Sequence, residues 1–155
     1  MSSLHIERAG IEQAHLVHRI MLEAFAEYIG VLQPPSGSTS ESLEDVERVI
    51  RQGGAVLAWL DSLPVGAGRF LPYPEHLYVG RVATLPAYRG RGIASAMMAY
   101  IEGIARELGV PAVHVGVRKS LPRNLSLYLR LGYEIVSIEP HPRGPDEVVS
   151  LIKRL

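Results

Sequence analysis

The chain has 155 residues, a formal net charge of zero and no cysteine, and hydrophobic residues make up 47% of it. One domain with a substantial core is therefore expected over residues 1–155, burying roughly 70% of the unfolded surface. A neutral balance excludes broad charge-driven nucleic-acid binding; the lack of cysteine excludes disulfides, a thiol nucleophile and thiolate metal sites, and fits a reducing cytoplasm. With no leader pattern and no apolar run near ~18 residues, a soluble cytoplasmic protein without membrane contact is expected.

Leu4 to Arg8 alternates and reads as a first strand. Ile11 to Ile29 follows with helical spacing, with Leu16, Ile20, Ala24 and Tyr28 on one stripe and Phe25 beside it. His15 and His18 are three apart, but no further ligands accompany them, so they read as partly exposed surface histidines. Gln33 to Ser40 is rich in Pro, Ser and Gly and reads as a loop. Ser42 and Asp45 form a capping pair for a second helix with Leu43, Val46, Val49 and Ile50 on its apolar face, and Gly53-Gly54 ends it.

Ala55–Leu60 and Leu63–Phe70 read as two strands joined at Asp61-Ser62, with a loop from Leu71 to Glu75. Leu77–Thr84 is the next strand, and Gly80 within it points to a bulge. A long helix starts near Gly92 and carries Ile93, Met97, Ile101, Ile104 and Leu108 inward, with Met97 and Met98 as core filler. Val113–Arg118 alternates, placing His114, Gly116 and Arg118 on one face. Pro122–Leu131 is a short helix with proline in its first turn, and Tyr133–Ile138 and Glu147–Arg154 pair around a Pro/Gly-rich turn. The succession gives a mixed α/β (α+β) sheet with helices on both faces.

The chemistry concentrates in Tyr88-Arg89-Gly90-Arg91-Gly92-Ile93-Ala94, between a strand and the longest helix. Two glycines leave the first helical amides bare, and those amides carry the positive end of the helix. This is a ready phosphate site, and Arg89 and Arg91 add two cations able to fork onto phosphate oxygens. A dinucleotide-binding unit fits poorly, because Leu85 to Tyr88 intervenes between strand and glycines and no acidic strand end follows. A P-loop needs lysine and a hydroxyl at the helix start, where this chain has Gly92-Ile93-Ala94.

Arg89 to Ala94 fits the pattern Arg/Gln-x-x-Gly-x-Gly/Ala. Together with Leu127-Tyr128-x-x-Leu131-Gly132-Tyr133, it makes the chain resemble the GNAT superfamily of N-acetyltransferases, most strongly from Leu77 to Tyr133. The resemblance implies a mostly antiparallel twisted sheet with a splayed central strand pair. It also implies acetyl-CoA as acetyl donor, a small-molecule or peptide amine as acceptor, and direct attack in a ternary complex. A homodimer is compatible with the family. The alternative is a silent acyl-CoA-binding module on the same fold.

By the same resemblance the coenzyme is held by Arg89, Gly90, Arg91, Gly92, Ile93 and Ala94, and the backbone of Val82, Ala83 and Thr84 polarises the thioester. The segment between the first two helices borders the acceptor pocket. Tyr128 matches the tyrosine that meets the departing thiolate. A phenol near ~10 against a thiol near ~8.5 makes full proton transfer uphill by about 2 kcal/mol, so a strong hydrogen bond is the expected help. The family's asparagine position falls on Leu121, so Asn124, with Ser120 or Arg123, is the substitute toward the coenzyme.

No acidic residue lies within Leu77–Thr84, where some relatives place a base; Glu75, His76 and His114 are the nearby candidates. A lysine-like amine costs about 4.6 kcal/mol to deprotonate at neutral pH and an α-amine about 1, so a chain without a base favours a weakly basic amine or a water relay.

Overall fold

Ser42 and Asp45 exchange two hydrogen bonds at the second helix start: the Asp45 amide donates to Ser42 Oγ at 3.1 Å and the Ser42 amide to Asp45 Oδ2 at 2.9 Å. The computed structural model, which describes residues 3–155, builds the chain from β1 (Leu4–Arg8), α1 (Ala14–Phe25), α2 (Leu43–Gln52), β2 (Gly54–Leu60), β3 (Leu63–Pro72) and β4 (Leu77–Thr84). It continues through α3 (Ile93–Leu108), β5 (Ala112–Arg118), α4 (Pro122–Arg130), β6 (Glu134–Pro140) and β7 (Glu147–Arg154).

The seven strands form one sheet in the order β1-β2-β3-β4-β5-β7-β6, with only the β4–β5 pair parallel. Alternation along β2 shows the layering. Val56 and Ala58 pack with α3 residues Met97, Met98 and Ile101, while Ala55 and Leu57 pack with Val17, Ile20, Met21 and Val46 of α1 and α2. A period of two sends neighbouring side chains to opposite faces. Each fully buried Ile, Leu or Met among them contributes about 1.5–3 kcal/mol by leaving water.

Four expectations need correction. Leu16 and Tyr28 are only half-buried, and Val17 and Met21 join Ile20 and Ala24 in the core. The α-helix stops at Phe25, and Ala26–Tyr28 is a tighter 3-10 turn, which takes Tyr28 off the stripe. Leu108, the last residue of α3, is 52% exposed, whereas Glu102 is buried against Tyr133 and Lys153. β3 runs on to Pro72, paired with Leu77, because a proline is tolerated at a strand end. The segment 33–40, read as a loop, contains a 3-10 turn at Gly37–Ser40, and Ser36 and Ser38 are buried with their hydroxyls 2.8 Å apart.

β4 decides where a site can form. Ala67 and Arg69 of β3 face Ala83 and Gly80 of β4, so two steps on one strand match three on the other. The bulge therefore exists, but its left-handed residue is Arg81 at φ 52°, not Gly80. β4 pairs with β5 only at Leu77–Val113, Tyr78–His114 and Val79–Val115. Beyond Val79 the strands part, while β5 stays paired with β7 as far as Arg118–Val148.

Candidate active site

The parted strands open a cleft of about 870 Å³. One wall is β4 from Tyr78 to Thr84, and the other is Gly116, Val117 and Arg118 of β5. From Gly80 onward β4 has no strand partner on this side, so its backbone groups along that edge lack a ladder. Val82, Ala83 and Thr84 all line the cleft.

The start of α3 lies at the same opening. Gly92 caps it in the left-handed region, φ 77°, where a residue with Cβ is strained. The first helical bond runs from the Ala96 amide to the Gly92 carbonyl at 3.0 Å, so the amides of Ile93, Ala94 and Ser95 have no intrahelical acceptor. Gly90, Gly92, Ile93, Ala94 and Ser95 line the cleft. The bare amides at the start of α3 and the free edge of β4 thus share one opening.

The two flanking arginines both have partners within the protein. Arg89 Nη1 donates to both carboxylate oxygens of Glu27 at 2.8 Å, Nη2 donates to the Ala24 carbonyl at 3.2 Å, and Nε donates to the Thr84 carbonyl at 3.3 Å. Arg89 lines the cleft, but its guanidinium fastens the glycine loop to α1 and β4 rather than standing free for a phosphate. Arg91 is exposed, lies outside the lining, and stacks over Tyr88 at 5.4 Å. The cations facing the cleft from α4 are Arg123 and Arg130.

α4 also supplies Asn124, Leu127 and Tyr128 to the cleft. Tyr128 is 6% exposed and packs edge-on against Tyr133 at 5.6 Å. Burial, with Tyr78 adding to it, pushes its phenol well above the ordinary tyrosine range. Among the described residues its hydroxyl has no hydrogen-bond partner, and as a cleft-lining group it faces the opening.

The structure does not bring Glu75 or His114 to the cleft. Glu75 sits on the exposed turn before β4. His114 is held among aromatic rings, 5.2 Å from His76 and 5.3 Å from Tyr78, and burial followed by the charge of His76 lowers its pKa. Both belong to the end where β4 and β5 are still joined.

The opposite side is lined by the segment that the family resemblance puts beside the acceptor pocket, and by the β6–β7 turn, which the sequence did not point to. Tyr28, Leu32, Ser36 and Gly37 come from the segment between α1 and α2, and His141 and Arg143 come from the β6–β7 turn. Arg81 and Arg118 join them. Six arginines and no carboxylate line the cleft among the described residues, in a chain of zero formal charge.

The nearest acids are already engaged. Glu41 takes two bonds from Arg69, at 2.8 and 2.7 Å, and lies 3.6 Å from Arg81 Nε. Asp146 accepts from Arg118 at 3.3 Å and from the Ser120 hydroxyl at 2.6 Å. His18 is partly exposed, as expected, and bonds the Glu41 carbonyl at 2.9 Å.

A sequence model of the acetyltransferase (GNAT) family matches residues 16–133. Among solved structures, the chain is similar to the PaiA N-acetyltransferase of Thermoplasma acidophilum in complex with coenzyme A, at 17% identity and a TM-score of 0.82, over 99% of each chain. It is also similar to a GNAT family acetyltransferase of Elizabethkingia anophelis with acetyl-CoA bound, at 16% identity and a TM-score of 0.76, over 98% of each chain. A third is the ribosomal-protein-alanine N-acetyltransferase of Brucella melitensis, at 16% identity and a TM-score of 0.79, covering 97% of this chain and 99% of that one. At these identities the structural likeness shows the fold.

Proposed function

The chain belongs to the acetyltransferase (GNAT) family, and we propose that it transfers the acetyl group of acetyl-CoA to a primary amine by direct attack within a ternary complex. The observation that carries this reading is the meeting of three features in one cleft: the bare amides of α3, the unpaired edge of β4, and the Tyr128 hydroxyl.

The residues present fit the coenzyme. Its diphosphate suits the amides of Gly92 to Ser95, with Arg123 and Arg130 as the cations and Asn124 as a polar neighbour. Arg89 supports this cradle by fixing its loop, with Gly90 and Gly92 giving the backbone its left-handed turns. When bound, acetyl-CoA supplies a thioester carbonyl open to attack by the amine.

Around that carbonyl the protein offers donors. The β4 edge at Val82 to Thr84 is placed to stabilise developing negative charge, an arrangement worth about 3–4 kcal/mol. Tyr128 keeps its proton, because burial raises its pKa, and so serves as a hydrogen-bond donor to the departing sulfur rather than as a full acid.

Among the described residues no side chain lining the cleft is a ready base. His141 Nδ1 accepts from the Arg143 amide at 3.1 Å, so its neutral ring carries the proton on Nε2. Burial, then Arg118 and Arg143, lowers its pKa and keeps the ring neutral. The amine therefore reaches the site already neutral or loses its proton to water. A release assay for free thiol from acetyl-CoA, run over a panel of amine classes, tests the reading. Amine-dependent release supports it; coenzyme binding without release for every amine would make the protein a silent binder.

A further inference from the structure

Three cleft arginines are not accounted for by a diphosphate at α3. Arg123 and Arg130 belong to α4, and Arg89 is bound to Glu27. Arg81, Arg118 and Arg143 face the other end, where the β6–β7 turn meets the segment after α1. Their surroundings place them there. Arg81 lies by Glu41, and Arg118 donates to the Pro35 carbonyl at 3.2 Å. A Cβ at Gly144 would come within 2.7 Å of Pro34 Cδ, so the turn closes against that segment.

From this placement we propose that the acceptor is a small amine bearing its own carboxylate, held by Arg81 and Arg143 with the His141 Nε2–H beside them. The proposal rests on the acetyl-transfer reading and names the acceptor class for that same site.

Charge bookkeeping supports it. Arg69 and Arg81 share one carboxylate, Glu41, and Arg69 holds both its oxygens. That leaves Arg81 with one long contact of 3.6 Å although two-thirds of its side chain is out of water. A guanidinium so placed is short of acceptors, and a bidentate carboxylate is the ligand that matches its fork. Gly37 makes room for it: a Cβ there would lie 2.9 Å from Arg81 Nη2. Arg143 makes no ion pair among the described residues, and Arg118 is neutralised by Asp146. The bulge that gives Arg81 its φ of 52° is what aims a β4 side chain into this end of the opening.

Among the described residues no carboxylate lines the cleft to greet a polycation, so a polyamine would meet like charge. The amine of an aminocarboxylate can instead sit toward the unpaired β4 edge while its carboxylate faces the arginines.

The test compares matched acceptors: α- and ω-amino acids, their carboxamides, and N-terminal peptides with and without an acidic second residue, using thiol release with acetyl-CoA. The carboxylate member of each small pair is expected to show a kcat/KM at least about tenfold higher than its carboxamide, the size of one lost charge-assisted bond. R81Q and R143Q should each shrink that ratio, mainly through the acceptor KM; Arg143 is exposed, so R143Q keeps the test intact should R81Q fold poorly. Calorimetry of an amino acid with the coenzyme A-loaded protein gives a readout without turnover and should weaken in both variants. Equal use of acid and carboxamide, a ratio unmoved by either variant, or a preference for the acidic peptides would overturn the proposal while leaving acetyl transfer standing. Failure of coenzyme binding, or of thiol release with every amine, would overturn the acetyl-transfer reading and this one with it.

Discussion

Arg89 and Glu27 are joined by two hydrogen bonds of 2.8 Å from a single guanidinium nitrogen, across 62 residues of chain. The same guanidinium reaches the Ala24 and Thr84 carbonyls, so one side chain ties the glycine loop, α1 and β4 together. These contacts within the protein account for an arginine in the glycine loop.

If Arg89 is a clamp, R89A should weaken coenzyme A binding by about tenfold, on the order of 1.4 kcal/mol, because the amide cradle loses its fixed position. E27Q should weaken it in the same direction by about threefold, since the pair is a third exposed and partly screened. Tighter binding in E27Q, measured by calorimetry, would mean that the freed arginine serves the phosphates directly.

The same pair sets part of the acid limit. Burial pushes Glu27 up, but the bond from Arg89 and its companions outweigh it and hold the carboxyl below the usual range. Asp146 behaves alike: burial raises it, and Ser120, the Glu147 amide and Arg118 bring it lower still. A depressed carboxylate stabilises the fold above its unfolded value, near ~4, and that contribution is lost as pH falls through the lower folded value. Melting temperature should therefore drop more steeply below pH ~4 in the wild type than in the double variant E27Q/D146N. Parallel curves would remove these two groups from the explanation.

Y128F keeps the buried ring and removes only the hydroxyl. Since that hydroxyl has no protein partner among the described residues, stability should change by less than about 1 kcal/mol. Turnover should fall about 10- to 100-fold, the range for a lost hydrogen bond to a charged group, with the coenzyme KM little altered. Full activity in Y128F would exclude it from contact with the leaving sulfur.

Glu102 in α3 is buried and satisfied by two distant residues, Tyr133 Oη at 2.9 Å and Lys153 Nζ at 3.0 Å. Lys153→Met strands its charge. The expected loss is about 2–3 kcal/mol by urea unfolding, less than the about 3–5 of a fully buried pair because Lys153 is partly exposed. Adding E102L should recover much of it; a simple sum of the two losses would show that they act independently.

The helices, strands and their order were legible because each carries a local signal. Alternation marked β5, the Ser42–Asp45 box marked α2, and proline at the first turn marked α4. Gly90 and Gly92 announced their own left-handed turns, since few other residues take φ near 77–79° cheaply. Glu75 and His114 are candidates on the sequence alone because they lie near β4 in the chain or the sheet. Nearness along a strand says nothing of which end splays. Tyr73, His76 and Tyr78 close around the joined end, so those candidates sit away from the opening.

The sequence by itself determined the elements, the family and the bare amides at the start of α3, because these follow from periodicity, capping and backbone freedom within a few residues. Only the tertiary structure decided which arginines are free. Arg89 meets Glu27, Arg118 meets Asp146 and Arg69 takes Glu41 from Arg81, each across 28 residues or more. Charge pairing depends on distance in space, and that distance exists only once the sheet has brought those segments together.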